Sequence, residues 1–333
     1  MNQATLALAA AALLINAASV IAAPEIKFYG KANLSLNSVD NETDAQDEWQ
    51  LNSNASRLGV LGQHAINEKL DAIVKIEYEV FVDDGQGSDN QAVKQRDIYA
   101  GLQGSFGKVI AGKVNTPLKV SQGKIDRFND QEMADIKNVL RGEDRVNNII
   151  MYTIPEFNGF SATAGIVPGE TSKGGVEDAE TRDGLADGTS ISLHYKNDHF
   201  TAALARNDDI NAFDTTRIVV DVKIAQAKIG FLIQTADESE GEENQDSWVL
   251  SAAINVDHGI LLKAQYAASA TSDLDEGLDL DTDMTQISVG IDKKLDKNNK
   301  LFAYYTNIES ELGGDFSGTT DDSTFGIGYE LKF

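Results

Sequence analysis

The sequence predicts an all-β chain, a 16-stranded antiparallel transmembrane β-barrel preceded by a short leader. Three observations carry this prediction. From residue 23 to the end, apolar side chains recur at every second position, the period of a strand. Sixteen such segments can be marked, an even number, and short connections alternate with long ones, as a barrel with turns on one rim and loops on the other requires. Beyond the leader nothing approaches the length of a transmembrane helix, and a barrel needs none. Each strand turns only half its side chains to lipid while its backbone pairs with its neighbours.

The leader comes first. Ala4 to Ala23 contains no charged residue and runs through Leu6, Leu8, Leu13, Leu14, Ile15 and Val20. Val20-Ile21-Ala22 places small residues at −3 and −1 and Pro24 at +2, so residues 1–22 read as a secretory signal peptide and 23–333 as the barrel. No Lys or Arg precedes the apolar run, and an uncleaved anchor helix is the alternative.

The strands follow in order. In 26–37, Ile26, Phe28, Ala32, Leu34 and Leu36 interleave with polar residues; segment 48–62 comes next; in 68–82, Leu70, Ala72, Val74, Ile76, Tyr78 and Val80 oppose Asp71, Lys75, Glu77 and Glu79. After a long connection at 83–91 come 92–104 and 105–114, and after the longest, 115–143, come 144–155 and 158–168. Connection 169–187 leads to 188–197 and 199–208, joined at Asn197-Asp198, and then to 214–225 and 226–237. Past 238–245 lie 246–257 and 259–270, which turn at Asp257-His258-Gly259. Past 271–281 lie 282–295 and 299–310, which turn at Lys297-Asn298-Asn299, and finally 321–333. Aromatic residues, among them Phe28, Tyr78, Tyr99, Tyr152, Phe160, Phe200, Tyr304, Phe325, Tyr329 and Phe333, fall near strand ends, where interfacial girdles sit. Alternation alone also fits a soluble β-sandwich; strand count and loop lengths favour the barrel.

Composition narrows the function. With 53 acidic and 28 basic residues the net charge is −25, which argues against a nucleic-acid binder. The absence of cysteine excludes disulfides, thiolate catalysis and Cys-zinc sites. His64, His194, His199 and His258 form no catalytic constellation, and no nucleophile elbow, H-E-x-x-H or Walker loop occurs. Neither an enzyme nor a cofactor is implied.

Several short pieces, in order, resemble the general trimeric porins of Gram-negative bacteria. They are Phe28-Tyr29-Gly30-Lys31-Ala32, Ser56-Arg57-Leu58-Gly59, Arg96-Asp97-Ile98-Tyr99-Ala100-Gly101-Leu102 and Phe106-Gly107-Lys108-Val109. Thr116-Pro117-Leu118-Lys119, Phe128-Asn129-Asp130, Arg145-Val146-Asn147-Asn148-Ile149-Ile150-Met151-Tyr152 and the closing Gly328-Tyr329-Glu330-Leu331-Lys332-Phe333 continue the match. The resemblance implies a water-filled barrel in the outer membrane, a homotrimer, and a third loop folded inward to narrow the channel. Its partners would be outer-membrane lipid and lipopolysaccharide, the barrel-assembly machinery that reads the terminal Phe333, and ions and small hydrophilic solutes.

Carried over by position, the basic wall of the constriction would be Lys31, Arg57, Arg96 and Arg145, and the acidic loop residues would be Asp126 and Asp130. Parity agrees for Lys31, for Arg57 beside Leu58 and Val60, and for Arg145 opposite Val146, Asn148, Ile150 and Tyr152. A guanidinium in mid-bilayer hydrocarbon would cost about 2–4 kcal/mol, so the lumen is the favoured side. Arg96 fits less cleanly, because an inward Arg96 sends Asp97 outward or demands an edge position near the rim. Opposed charges across a constriction orient water and polar solutes, and the acid-rich long loops, with Glu238, Glu240, Glu242 and Glu243 in one and Asp273, Asp275, Glu276, Asp279, Asp281 and Asp283 in another, lead us to expect weak cation preference. The alternatives are a substrate-selective outer-membrane channel for a sugar or an anion and a soluble periplasmic β-rich binding protein.

Overall fold

A computed structural model describes residues 23–42, 46–85, 91–169, 184–275, 278–315 and 317–333. The expected leader, residues 1–22, lies outside them. The strands are β1 (Glu25–Asn41), β2 (Gln46–Ser53), β3 (Arg57–Asn67), β4 (Leu70–Val80), β5 (Val93–Gly104), β6 (Gly107–Asn115), β7 (Arg145–Thr153), β8 (Phe160–Val167), β9 (Gly188–Lys196) and β10 (Phe200–Ile210). They continue with β11 (Phe213–Ile224), β12 (Ala227–Glu238), β13 (Asn244–Val256), β14 (Ile260–Ser272), a two-residue hairpin β15 (Leu274–Asp275) and β16 (Leu278–Asp279), then β17 (Thr282–Lys294), β18 (Asn299–Leu312) and β19 (Gly318–Lys332).

Apart from the small hairpin, all of them join one antiparallel sheet, and β19 returns to pair with β1 from Lys31↔Lys332 to Asp40↔Ser323. The other edge of β1 is covered by β2 along one half and by β3 along the other. These two strands are therefore lengths of a single stave, and the closed barrel has sixteen staves.

The expected continuous strand 48–62 is broken at residues 54–56 for a local reason. Asn33 donates its amide N–H to Ser56 Oγ at 2.9 Å, and Asn54 Nδ2 donates to Ser35 Oγ at 2.9 Å. All four of these polar residues are buried, and Ala55 between them takes a left-handed φ of 49°. Side-chain bonds here substitute for ladder bonds.

The period of two sorts the wall into faces. Leu204, Ile218, Ile233 and Leu250 are exposed on β10 to β13, whereas their neighbours Ala203, Val219, Leu232 and Val249 are buried. The exposed apolar face is the lipid belt of a barrel. Onto the opposite, inner face packs the long connection 116–144. It opens with a helical turn α1 (Pro117–Ser121), whose Thr116 cap accepts from the Lys119 amide at 3.1 Å. Ile125, Ile136, Val139 and Leu140 of this segment cluster with Ala203, Val219, Leu232, Val249 and Ala267 of the wall. Wall amides complete the fit: Gln265 Oε1 accepts from the Arg127 amide at 2.9 Å, and Gln286 donates to the Met133 carbonyl at 2.7 Å.

Aromatics divide between the faces. Phe28, Phe160, Phe325, Tyr329 and Phe333 are exposed on the belt, but Tyr304, 2% exposed, turns inward. Its hydroxyl crosses β19 to reach Asn37 Oδ1 on β1 at 3.2 Å, covering Gly326 at the seam where the barrel closes. A Cβ on Gly326 would lie 2.4 Å from both that ring and Asn37 Oδ1. Gly326→Val is therefore expected to destabilise the barrel by about 1–3 kcal/mol through overpacking. A lower temperature for the gel shift between folded and unfolded bands in SDS would report it.

Candidate pore constriction

Lys31 on β1 and Arg57 on β3 are register partners. Both grip the carboxylate of Asp130, which the inner segment brings to them: Lys31 Nζ lies 2.6 Å from Asp130 Oδ2, and Arg57 hydrogen-bonds the same oxygen. Asp130 sits at a left-handed φ of 67°, and its own amide N–H is held by Asp135 Oδ2 at 3.1 Å. The two cations outweigh burial and draw the Asp130 carboxyl down to about 2.

The charge network continues across the wall. Glu77 on β4 accepts from Arg96 Nε at 2.9 Å and from the Tyr29 hydroxyl at 2.8 Å, with Lys75 Nζ 3.5 Å away. Arg96 also reaches Glu79 at 3.1 Å. Asp97 is shared by Lys75 at 2.8 Å and Arg145 at 2.9 Å. The cations expected from sequence, Lys31, Arg57, Arg96 and Arg145, thus belong to one connected network. What the sequence reading missed were its carboxylates on the wall and Lys75. The polar parity of Lys75, Glu77 and Glu79 held that signal, since all three fall on the same strand face.

Two expectations need correction. Arg96 and Asp97 do not point to opposite faces, because Ile76 pairs with Ile98 and Tyr78 with Gln95, leaving an extra residue in β5. This β-bulge turns both side chains into the same network. A second bulge, where Gly112 pairs with Ile149 but Val114 with Val146, includes Asn148 at φ 57°. It returns Val146 to the buried side with Ile149 and Met151, not to the lipid side as simple parity would have it.

Asp126 stands apart from the network. It is 7% exposed, and its oxygens accept the backbone N–H groups of Phe128 at 2.9 Å and Ile136 at 3.3 Å, pinning the inner segment to itself. Burial, reinforced by Asp135, pushes its carboxyl well above the usual range. Phe333 closes the chain against β1: Gly30 and Phe333 exchange backbone hydrogen bonds of 2.9 and 3.1 Å, and its ring lies over Gly30 on the exposed face.

A family model described as Gram-negative porin matches residues 4–313. The chain belongs to that family. Membership places this porin in the outer membrane of Gram-negative bacteria. Among curated relatives, the major outer membrane protein P.IB of Neisseria sicca is 28% identical over 205 residues, covering 57% of this chain and 54% of that protein. This porin thus spans about half the length of the first curated relatives it matches. Outer membrane porin protein 32 of Delftia acidovorans is 25% identical over 342 residues, 96% of this chain and 91% of that one. The solved anion-selective porin from Comamonas acidovorans shares the fold with a TM-score of 0.72 at 21% identity, covering 93% of this chain and all of that one.

Proposed function

We propose that this porin is a general diffusion channel of the outer membrane, passing ions and small hydrophilic solutes through a lumen narrowed by segment 116–144. The observation that carries this is Asp130, a carboxylate of the inner segment set directly against Lys31 and Arg57 of the wall. The constriction residues are Lys31, Arg57, Lys75, Arg96 and Arg145 with Glu77, Glu79, Asp97 and Asp130, five cations against four carboxylates. Such a nearly balanced ring orders water across the channel but confers little net sign. Selectivity then falls to the mouths, and the acid-rich long loops favour cations at theirs. Assembly as a homotrimer, export by the leader 1–22 and recognition of Phe333 during assembly belong to the same proposal.

Planar-bilayer recording of the purified protein tests it. Conductance steps grouped in threes are expected, with a reversal potential of cation sign in a potassium chloride gradient. A protein that remains soluble without detergent and never inserts would overturn the channel, and a potential of chloride sign would overturn the cation preference.

A further inference from the structure

One pocket at the short-turn rim is rich in lysine, unlike the acid-rich long loops. Lys196 at the end of β9, Lys223 on β11 and Lys228 on β12 line one pocket with His199, Asp198 and Asp221. Register fixes which way the three lysines face. Lys196 pairs with Thr201, two residues from Ala203, and Lys223 lies four residues from Val219. Lys228 lies four residues from Leu232. Ala203, Val219 and Leu232 are the wall residues on which segment 116–144 packs, so all three lysines share the lumen side.

Two further observations make this a receptive site. Lys223 and Lys228 stand directly opposite each other in the β11–β12 ladder, a like-charge juxtaposition that opposes strand pairing unless an anion bridges it. Neither carboxylate of the pocket serves: Asp221 is taken by Arg127 at 2.9 Å, and among the described residues Asp198 forms no salt bridge with any of the three lysines. Among the described residues neither Lys223 nor Lys228 enters a salt bridge, and both are exposed. The backbone is fixed around them, since the Lys223 amide donates to the His199 carbonyl at 2.7 Å.

We propose that this lysine pocket binds multivalent oxyanions of the phosphate class at the short-turn mouth of the lumen. Resting on the channel reading, it gives the pore two unlike mouths, one that gathers cations and one that holds phosphate-type anions. Occupancy there places a hydrated polyanion in the conduction path and reduces current from that side alone.

Single-channel recording in a phosphatidylcholine bilayer at low salt tests this with pyrophosphate added to one chamber and then, after washing, to the other. Each channel is expected to lose current from one chamber only, and the block to vanish in concentrated salt. The Lys223→Gln/Lys228→Gln double variant is expected to need roughly tenfold more pyrophosphate, with its conductance in concentrated salt unchanged, as the loss of two screened ion contacts would give. Lys297→Gln, on the same rim but outside the pocket, is expected to keep wild-type block. Equal block from both chambers, or a double variant blocked like wild type, would overturn the site while leaving the channel intact. Absence of conductance steps altogether would instead sink the channel reading. Block that appears only after phosphatidylglycerol is added to the bilayer would assign the effect to lipid headgroups and overturn the soluble-anion site.

Discussion

Replacing Arg217 with Ala is expected to release segment 116–144 from the wall, turning a quiet channel into a larger and noisier one. Arg217 on β11 is fully buried, and every donor it spends holds the two ends of that segment or the wall behind it. Nη1 lies 2.7 Å from Glu143 Oε1, Nη2 donates to the Arg141 carbonyl at 3.3 Å, and Nε donates to Gln234 Oε1 at 2.8 Å. Gln234 in turn donates to the Arg141 carbonyl at 3.0 Å. The opening turn is tied in through Lys119, whose Nζ donates to the Glu143 carbonyl at 2.6 Å. Without the guanidinium, Glu143 keeps only Lys119 at 3.8 Å as a charge partner inside a buried site. Burial already pushes the Glu143 carboxyl above its ordinary value with Arg217 present. Breaking a buried ion pair from one side costs about 3–5 kcal/mol, enough to change the resting position of a loop whose anchor this is. The ladder of the sixteen staves is untouched, so the variant is expected to insert and conduct. Single-channel current noise and protease cleavage within 116–144 check the outcome. An Arg217→Met/Glu143→Leu double variant, which removes both charges together, is expected to recover most of the quiet state. A double variant as noisy as Arg217→Ala would show that the pair is not the latch.

The barrel was legible in the sequence because lipid outside and water or packed loop inside impose one period on every stave. Each of the sixteen expected segments overlaps an observed stave, down to the turn at Asn197-Asp198 between β9 and β10. What parity failed to carry were the places where one residue is added. The bulges at Arg96-Asp97 and near Asn148 reverse the facing of everything beyond them on their strands, and nothing in a single sequence marks an extra residue as such. The break at residues 54–56 depends on Asn33 and Ser35, about twenty residues away, so it is a tertiary effect. The constriction was half legible. The family resemblance points to its arginines and Lys31; parity sets Lys75 and Glu77 on the polar face, but their pairing with Asp97 and Arg96 emerges only when β4 and β5 are laid side by side. Asp126 illustrates the converse. Its place in the loop suggested a pore-facing acid, but its neighbours' backbone N–H groups claim it. Arg217 had no signal beyond an arginine among β-branched residues; its role exists only because segment 116–144 folds over it.

Asp130→Asn is expected to move the reversal potential toward chloride, and the same shift is expected in the wild type at strongly acid pH. The substitution leaves five cations facing three carboxylates in the constriction, so a nearly neutral ring becomes a basic one. In a narrow, low-dielectric passage a fixed charge acts on a passing ion more strongly than the same charge would on an open surface. The pH sign follows from the direction of the shift. The Asp130 carboxyl is lowered from 3.8 to about 2 by Lys31 and Arg57. Its stabilising contact with the wall, about 2 kcal/mol, is therefore fully present above pH 4 and is lost as pH falls through about 2. Asp126→Asn supplies the contrast. The Asp126 oxygens accept from the backbone N–H groups of Phe128 and Ile136 in its own segment and touch none of the wall cations, so losing its charge leaves the balance of the constriction ring unaltered. Asp126→Asn is accordingly expected to leave the reversal potential unchanged at pH values where Asp130→Asn shifts it. Equal shifts in both variants would mean that selectivity responds to displacement of the segment and not to the charge at Asp130. A selectivity indifferent to Asp130→Asn would place the deciding field at the mouths, where the acidic loops and the lysine rim oppose each other.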